Sequence, residues 1–392
     1  MNKKLLNTGV QDFILQNINT DIMSVLLKKP LFEDISQQEL SQQIESKKKC
    51  KKKLPTWYKT PGIYYPKKIN IEQTSSEIAA QYKSGIIAGK SLLDLTGGLG
   101  VDSYYFSKKI AAVFHCEINK NLQEITAHNF HMLGAKNIQT FAINGLDFIK
   151  NSKKNFDWLF LDPSRRNDSN GKVFQLSDCE PNILENLELL YSKSENILLK
   201  TSPLLDISIG LKELSGVKEI HVIAINNDVK ELLWVMKKGF LGGIKIRTCN
   251  FTNSRVQNFD FELTEEKTAQ PDFALPLSYL YEPNASVLKA GAFKCIGFKC
   301  NLKKLNPNTH LYTSSRLIDF PGRRFKLLKL VAYGKKNVKN LNLTKANITT
   351  RNFPESVDGI RKKFKIKEGG SSFLFFFKDM DNTSQVALCD KV

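Results

Sequence analysis

The sequence predicts a doubly wound α/β sheet, preceded by a helical region and followed by small α+β domains. Three observations carry that expectation. Between residues 91 and 265, short apolar runs alternate with helix-like segments, as in parallel sheets whose crossovers are helices. A glycine-rich turn, Thr96-Gly-Gly-Leu-Gly100, leaves directly from the first of these runs. The 392 residues suffice for two or three domains, and 41% apolar with 25% charged residues excludes a disordered, collagenous or coiled-coil protein.

Residues 1–55 have helical spacing, with Phe13, Ile14, Ile18, Ile22, Val25 and Leu26 in one apolar stripe. A Gln-rich segment from Glu39 runs into the lysine cluster 47–53, and residues 54–66 read as a proline-punctuated aromatic loop. Thr74-Ser-Ser-Glu77 has the pattern of a capping box and opens a helix through Ile78, Ala79, Tyr82 and Ile86. Strands follow at 92–95, 111–116, 138–142, 158–161, 197–199 and 220–224, with 244–251 as a last strand, antiparallel at the edge. Beyond Pro271 the pattern changes. Residues 285–298 read as a helix then a strand, and 307–320 as a turn and strand. Residues 346–351, 355–363, 373–377 and 384–389 make a β-α-β-β unit.

The formal charge of +19 is unevenly placed. Residues 1–80 hold 13 Lys and Arg against 8 Asp and Glu, residues 81–290 hold 24 against 24, and residues 291–392 hold 21 against 7. A neutral centre with basic flanks suggests ends that hold a polyanion while the centre does something else. The seven scattered cysteines include no CxxC and the five histidines no HExxH, so neither a disulfide framework nor a metal site is expected. No apolar run approaches the roughly 18 residues of a membrane span, and the N-terminus lacks a signal-peptide core. A cytoplasmic location is expected.

Chemistry concentrates at the ends of the strands. Asp94 ends the first run, and glycines 97, 98 and 100 let the backbone approach a ligand closely. Ser103 stands where a dinucleotide fingerprint has its third glycine, and Asp94 would repel a pyrophosphate but attract an ammonium. Glu117, at the end of the next run, is placed to take both hydroxyls of a ribose. Asp147, in Asn144-Gly-Leu-Asp147, is placed to read an adenine amino group or to cap a helix. Together these residues point to S-adenosylmethionine, whose methionine end carries the ammonium. The fourth run ends in Asp162-Pro-Ser-Arg-Arg166, at a tip that borders the same crevice. Asp162 can accept a proton or hydrogen bond from a nucleophile, and Pro163 rigidifies the turn. Arg165 and Arg166 can hold a phosphate or stabilise developing charge. His115 lies inside a strand and is expected in the core. Lys200-Thr-Ser-Pro203 either borders the substrate entrance or is a plain turn.

These residues resemble the motif series of class I S-adenosylmethionine-dependent methyltransferases. A narrower resemblance is carried by Glu72-Gln-Thr-Ser-Ser-Glu77, Asp94-Leu-Thr-Gly-Gly-Leu-Gly-Val-Asp102, Leu161-Asp-Pro-Ser-Arg-Arg166, Tyr281-Glu-Pro-Asn-Ala285 and Asn347-Ile-Thr-Thr-Arg-Asn-Phe-Pro354. It is to a bacterial family that joins such a Rossmann-like domain to a C-terminal THUMP-like domain. The chain then divides into a helical region (1–70), a methyltransferase domain (71–268), a ferredoxin-like segment (269–318) and a basic THUMP-like domain (319–392). The cofactor set expected is Asp94, Thr96, Gly97, Gly98, Gly100, Asp102, Glu117, Ile118, Asp147 and Asp162. Asp162 and Arg165 are the expected catalytic residues, with Pro163, Arg165 and Arg166 against the substrate. Genuine THUMP domains bind structured RNA, and the densest basic clusters of the tail, with Arg323, Arg324 and Lys363, are expected to hold its phosphates.

One departure matters. Enzymes with an Asp/Asn-Pro-Pro-aromatic tetrapeptide stack the target base on the aromatic ring, whereas Ser164 and Arg165 stand there in this chain. Stacking would fall to Trp57, Tyr58, Tyr64, Tyr65 or Arg165 itself. No cysteine lies between Asp162 and Cys179, which disfavours transfer to a base carbon. A base nitrogen of tRNA or rRNA is the expected acceptor. Two functions compete: an RNA-binding or ribosome-assembly protein that keeps the cofactor without chemistry, and a small-molecule methyltransferase, which the basic tail disfavours.

Overall fold

The computed structural model describes residues 1–165 and 175–392 and divides them into two units. The first is Met1–Val217 with Trp234–Phe240, and the second is Lys218–Leu233 with Leu241–Val392.

The first unit is built on a parallel sheet. β1 (Ser91–Asp94) pairs with β2 (Ala112–Cys116) on one side, and β2 continues to β3 (Ile138–Phe141). On its other side β1 pairs with β4 (Trp158–Leu161). The two-residue strands β5 (Ser164–Arg165) and β6 (Cys179–Glu180) pair only with each other, and β7 (Asn196–Thr201) extends the sheet from β4. The order β3-β2-β1-β4-β7 changes direction of growth between β1 and β4, so the carboxyl ends of those two strands open a crevice. β1, β2, β4 and β7 are almost wholly buried, which is why they read as apolar runs without alternation.

The N-terminal helices correct three expectations. The apolar stripe is split between helices Thr8–Gln16 and Ile22–Leu26, because Asp21 accepts from Met23 N and caps a new helix. The capping box expected at Thr74–Glu77 does not form. Ser76 caps the helix Glu77–Ser84, and Glu77 turns inward to accept from Thr56 N, Thr56 Oγ1 and the Tyr105 hydroxyl. A capping box does start the helix Gln37–Lys53, where Ser36 and Glu39 accept from each other's amides. The aromatic segment is not a loop throughout. Pro55–Lys59 is a helix with proline in its first turn, and Trp57 and Tyr65 are buried with Leu54, Ile71, Leu99, Val101 and Phe130. Tyr64 lies in a neighbouring cluster with Ile14, Leu40 and Ile125. Trp57, Tyr64 and Tyr65 therefore hold the core together and present no face to a base.

In the second unit, β8 (Val217–Ile225), β9 (Asp228–Lys237), β10 (Lys245–Phe251) and β11 (Val256–Glu262) lie in the order β11-β10-β8-β9. The last part of β9, from Trp234, counts with the first unit, next to β7. The strand expected to be antiparallel at the edge, β10, is parallel to β8, and the antiparallel edge strand is β11. The remaining strands form one sheet. They are β12 (Tyr279–Pro283), β13 (Lys303–Asn306), β14 (Thr309–Ser314), β15 (Gly322–Ala332), β16 (Asn347–Arg351), β17 (Ser372–Lys378) and β18 (Ser384–Lys391). Their order is β13-β14-β12-β15-β18-β17-β16. The β-α-β-β unit is present as β16, the helix Val357–Phe364, β17 and β18. β17 is greasy throughout because both its faces are covered: Phe375 and Phe377 in one cluster, Leu374 and Phe376 in another. The strand expected in the later part of 285–298 does not form, and Cys295–Lys299 is a helix. Ile296 alone supplies its β-branching, too little to favour a strand. Among the described residues no helix is long and apolar enough to cross a membrane.

Candidate active site

β1 delivers Asp94 to the crevice fully buried. Its carboxylate accepts from Thr96 N at 3.1 Å and from Ser103 Oγ at 2.5 Å, and Ser103 Oγ lies 3.0 Å from His115 Nδ1. Burial pushes Asp94 up to about 7 and His115 down to about 3, since neither charge is solvated there. His115 is a core residue, as expected, and completes a buried strut beneath the loop.

The glycines divide by what lies behind them. A Cβ on Gly97 would stand 2.1 Å from the His115 ring, and one on Gly100 2.3 Å from Phe130. Gly98 has φ +56°, and a Cβ there would meet nothing nearer than Thr96 O at 3.9 Å. Its open face is a cradle in which a ligand can reach the backbone.

Glu117, just past β2, accepts from Gly98 N at 2.9 Å and from Asn119 N at 2.7 Å, one bond to each oxygen. A carboxylate has about four acceptor positions, so both oxygens keep capacity for a ligand hydroxyl. Ile118 beside it is 72% exposed. Asp147 is exposed in the first turn of the helix Gly145–Asn151. Asn144 caps that helix by accepting from Leu146 N, so the alternative of Asp147 as the cap does not hold.

Two lysines stand among the acids. Lys83 is fully buried, with Nζ 2.8 Å from Asp102 Oδ1 and donating to Ser75 Oγ at 2.6 Å, while Ser75 donates to Asp102 Oδ2 at 2.9 Å. Lys200, buried at the end of β7, is ion-paired with Asp162. Asp162 N also donates to Thr96 Oγ1 at 2.7 Å, tying the β4 tip to the glycine loop. Burial raises the Asp162 carboxyl above its ordinary value, against the pull of Lys200 and Lys83. Its side chain remains 33% exposed, whereas those of Asp94 and Asp102 are nearly closed off. Past it, the Ser164 and Arg165 backbones pair with Glu180 and Cys179, and Arg166 lies outside the described residues. Lys83 was not legible as a site residue, because a lysine in an amphipathic helix reads as solvated. Lys200 carried one signal, its place at a parallel strand's carboxyl end.

In the second unit the expected phosphate-holding residues have acidic partners. Arg323 and Arg351 both meet the buried Glu282, Arg324 and Arg255 meet Asp319, and Lys363 meets Glu355. Lys335, Lys336, Lys339, Lys362 and Lys365 are exposed. Among the described residues no group of His, Cys, Asp and Glu is arranged to hold a metal ion.

The strand order, the glycine loop after β1 and the acid after β2 define a class I methyltransferase fold. Family models match residues 279–321 as a ferredoxin-like domain and 322–391 as a THUMP domain-like module. A crystal structure from Porphyromonas gingivalis W83, described as a "putative methyltransferase", is 30% identical, with TM-score 0.88 over 100% of this chain and 99% of that one. The chain belongs to the same family, the class I S-adenosylmethionine-dependent methyltransferases with a THUMP-like domain. More distant likenesses include an rRNA methylase from Streptococcus thermophilus, at 13% identity and TM-score 0.31 over 41% of this chain and 94% of that one. A "putative methyltransferase" from Streptococcus mutans in complex with S-adenosylhomocysteine stands at 14% and TM-score 0.31, over 41% and 96%. No curated protein matches the sequence.

Proposed function

We propose that the protein transfers a methyl group from S-adenosylmethionine to RNA, either tRNA or rRNA. The observation that carries this reading is the pairing of Gly98 N with Glu117 at 2.9 Å, beside an open backbone face at the switch point of the sheet. In that cradle Glu117 takes the ribose hydroxyls, Ile118 lies against the adenine and Asp147 reads its amino group. Asp94 and Asp102 shape the loop from behind rather than touching the ligand. Three carboxyls against two lysines give this buried set a negative balance when all are ionised, suited to a cofactor bearing a sulfonium and an ammonium.

Bound there, the cofactor supplies an already activated methyl group. The protein's part is to hold an acceptor in line with it, with Asp162 orienting the acceptor, Pro163 fixing the turn and Arg165 steadying charge. The 21 basic against 7 acidic residues of the last segment, together with its THUMP-like match, support RNA as the substrate. With no cysteine between Asp162 and Cys179, nitrogen and oxygen acceptors remain, and the sequence alone favours a base nitrogen.

Two measurements test the reading. Calorimetry should show S-adenosylhomocysteine binding to the wild type and much weaker binding to Glu117→Ala. Labelled S-adenosylmethionine should pass its methyl group into total RNA from a strain lacking the gene. Binding of NAD in place of S-adenosylhomocysteine would overturn the cofactor assignment.

A further inference from the structure

Resting on that reading, we infer that the acceptor atom is an oxygen, the 2′-hydroxyl of a ribose, rather than a base nitrogen. Two separate observations lead there. The carboxylate at the β4 tip that an incoming group can reach, Asp162, is ion-paired with the buried Lys200. The charge of Lys83, on Asp102, also bears on Asp162. An acceptor that reaches Asp162 therefore meets a fixed ammonium as well. A base nitrogen gains positive charge as it attacks the methyl group, which the Asp162 carboxylate favours and the ammonium paired with it offsets, so the pair has no net use for that acceptor. A hydroxyl gains negative charge as it gives up its proton, and the same ammonium favours it.

The second observation concerns the base. Ser164 and Arg165 stand where other tetrapeptides end in proline and a stacking ring, and the Arg165 side chain lies outside the described residues. Trp57, Tyr64 and Tyr65 are closed inside the core, and Tyr58 is half-buried against it with the Lys47 ammonium over its ring. A base taken out of its stack needs a new face to lie on. A ribose hydroxyl can be reached while its base stays stacked in the RNA, because A-form helices display their 2′-hydroxyls along the wide minor groove.

The step balances. The hydroxyl oxygen bonds to the methyl carbon as the carbon–sulfur bond breaks. The electron pair of that bond stays on sulfur, which turns from sulfonium to neutral thioether. The hydroxyl proton passes to the Asp162 carboxylate, while Lys200 donates a hydrogen bond to the oxygen as charge develops on it.

The test uses the full-length protein, methyl-labelled S-adenosylmethionine and total RNA from a strain lacking the gene, followed by alkaline hydrolysis. A 2′-O-methyl group blocks cleavage of the adjoining phosphodiester, so the label is expected in alkali-stable dinucleotides. Label in mononucleotides would overturn the oxygen assignment while leaving RNA methylation standing. No label in either fraction would overturn the RNA reading itself. Lys200→Met should lower transfer by about 100-fold, a typical loss for one charge-stabilising donor. Its binding of S-adenosylhomocysteine, followed by calorimetry, should be no weaker than that of the wild type. Lys200→Arg, which keeps the charge, should recover part of the rate. Equal losses in both variants with weakened S-adenosylhomocysteine binding would make Lys200 a structural strut and remove the electrostatic argument.

Discussion

At the scale of single residues, Asp94 and His115 occupy one buried strut with opposed shifts. From about pH 4 to 6.5 an unfolded chain has this aspartate ionised and this histidine protonated, while the folded protein has the reverse. Each state binds one proton, so the pair adds no slope to stability across that window. Asp94→Asn removes the raised carboxyl and leaves His115, lowered from 6.5 to about 3. The unfolded state then binds the extra proton between those values, and stability should fall by up to about 1.4 kcal/mol for each pH unit below 6.5. Urea unfolding of both proteins through that range should show the steeper acid loss only in the variant, and parallel curves would count against the buried pair. The glycines separate folding from binding. Gly97→Ala drives a methyl group into the His115 ring and should cost about 1–3 kcal/mol. Gly98→Ala meets no clash, and its positive φ costs about 1–2 kcal/mol. It should still lose most S-adenosylhomocysteine affinity, because the methyl fills the cradle. Thermal melts beside calorimetry read the two effects apart.

At the scale of elements, the crevice depends on one helix start. A Cβ on Gly145 would stand 2.2 Å from Leu95 O, so the helix Gly145–Asn151 rests directly on the chain leaving β1. Gly145→Ala should push that helix, and Asp147 with it, away from β1. The expected result is weaker S-adenosylhomocysteine binding together with a lower melting temperature, whereas Asp147→Ala should weaken binding without the stability loss. The same elements show what could be read in advance. The strands of the first unit were legible because burial on both faces leaves apolar runs, and Asp94, the glycines, Glu117 and Asp162 because each ends such a run. β9 was missed. Its hairpin turns on Asn226 and Asn227, left-handed at φ 51° and 64°, a pair that lacks the glycine signal of such turns. The run Leu232-Leu-Trp-Val-Met236 fits a buried helix or strand equally. Trp57 and Tyr65 were misread because proline spacing reports a turn but not what packs against it. The ion pairs of Lys83 and Lys200 join residues far apart in sequence, and no local pattern encodes them.

At the scale of the whole molecule, the question is which of the tail's charges are free to meet a polyanion. Arg323 was expected to hold phosphate, yet it shares the buried Glu282 with Arg351. Its charge is largely neutralised there, and Arg323→Gln should act mainly by leaving Glu282 with one partner fewer, a loss of stability with little change in the salt dependence of RNA binding. The exposed lysines behave differently. Lys335, Lys336 and Lys339 lie on the helix Lys335–Lys339, which touches the helix Val357–Phe364 with Lys362, and Lys365 caps the latter. These five exposed charges, carried by two adjoining helices and one cap, can meet a phosphate backbone without reading its sequence. Changing all five to Gln in the full-length chain should leave S-adenosylhomocysteine binding intact, since every cofactor residue lies in the first unit. RNA affinity should fall, and the plot of log K against log salt should become shallower by roughly 0.7–0.9 for each phosphate that the lysines no longer neutralise. Measuring both variants from about 50 to 200 mM salt separates the two kinds of charge. A slope unchanged by the five substitutions, in a protein that still binds S-adenosylhomocysteine, would remove this helix pair from the RNA-binding surface.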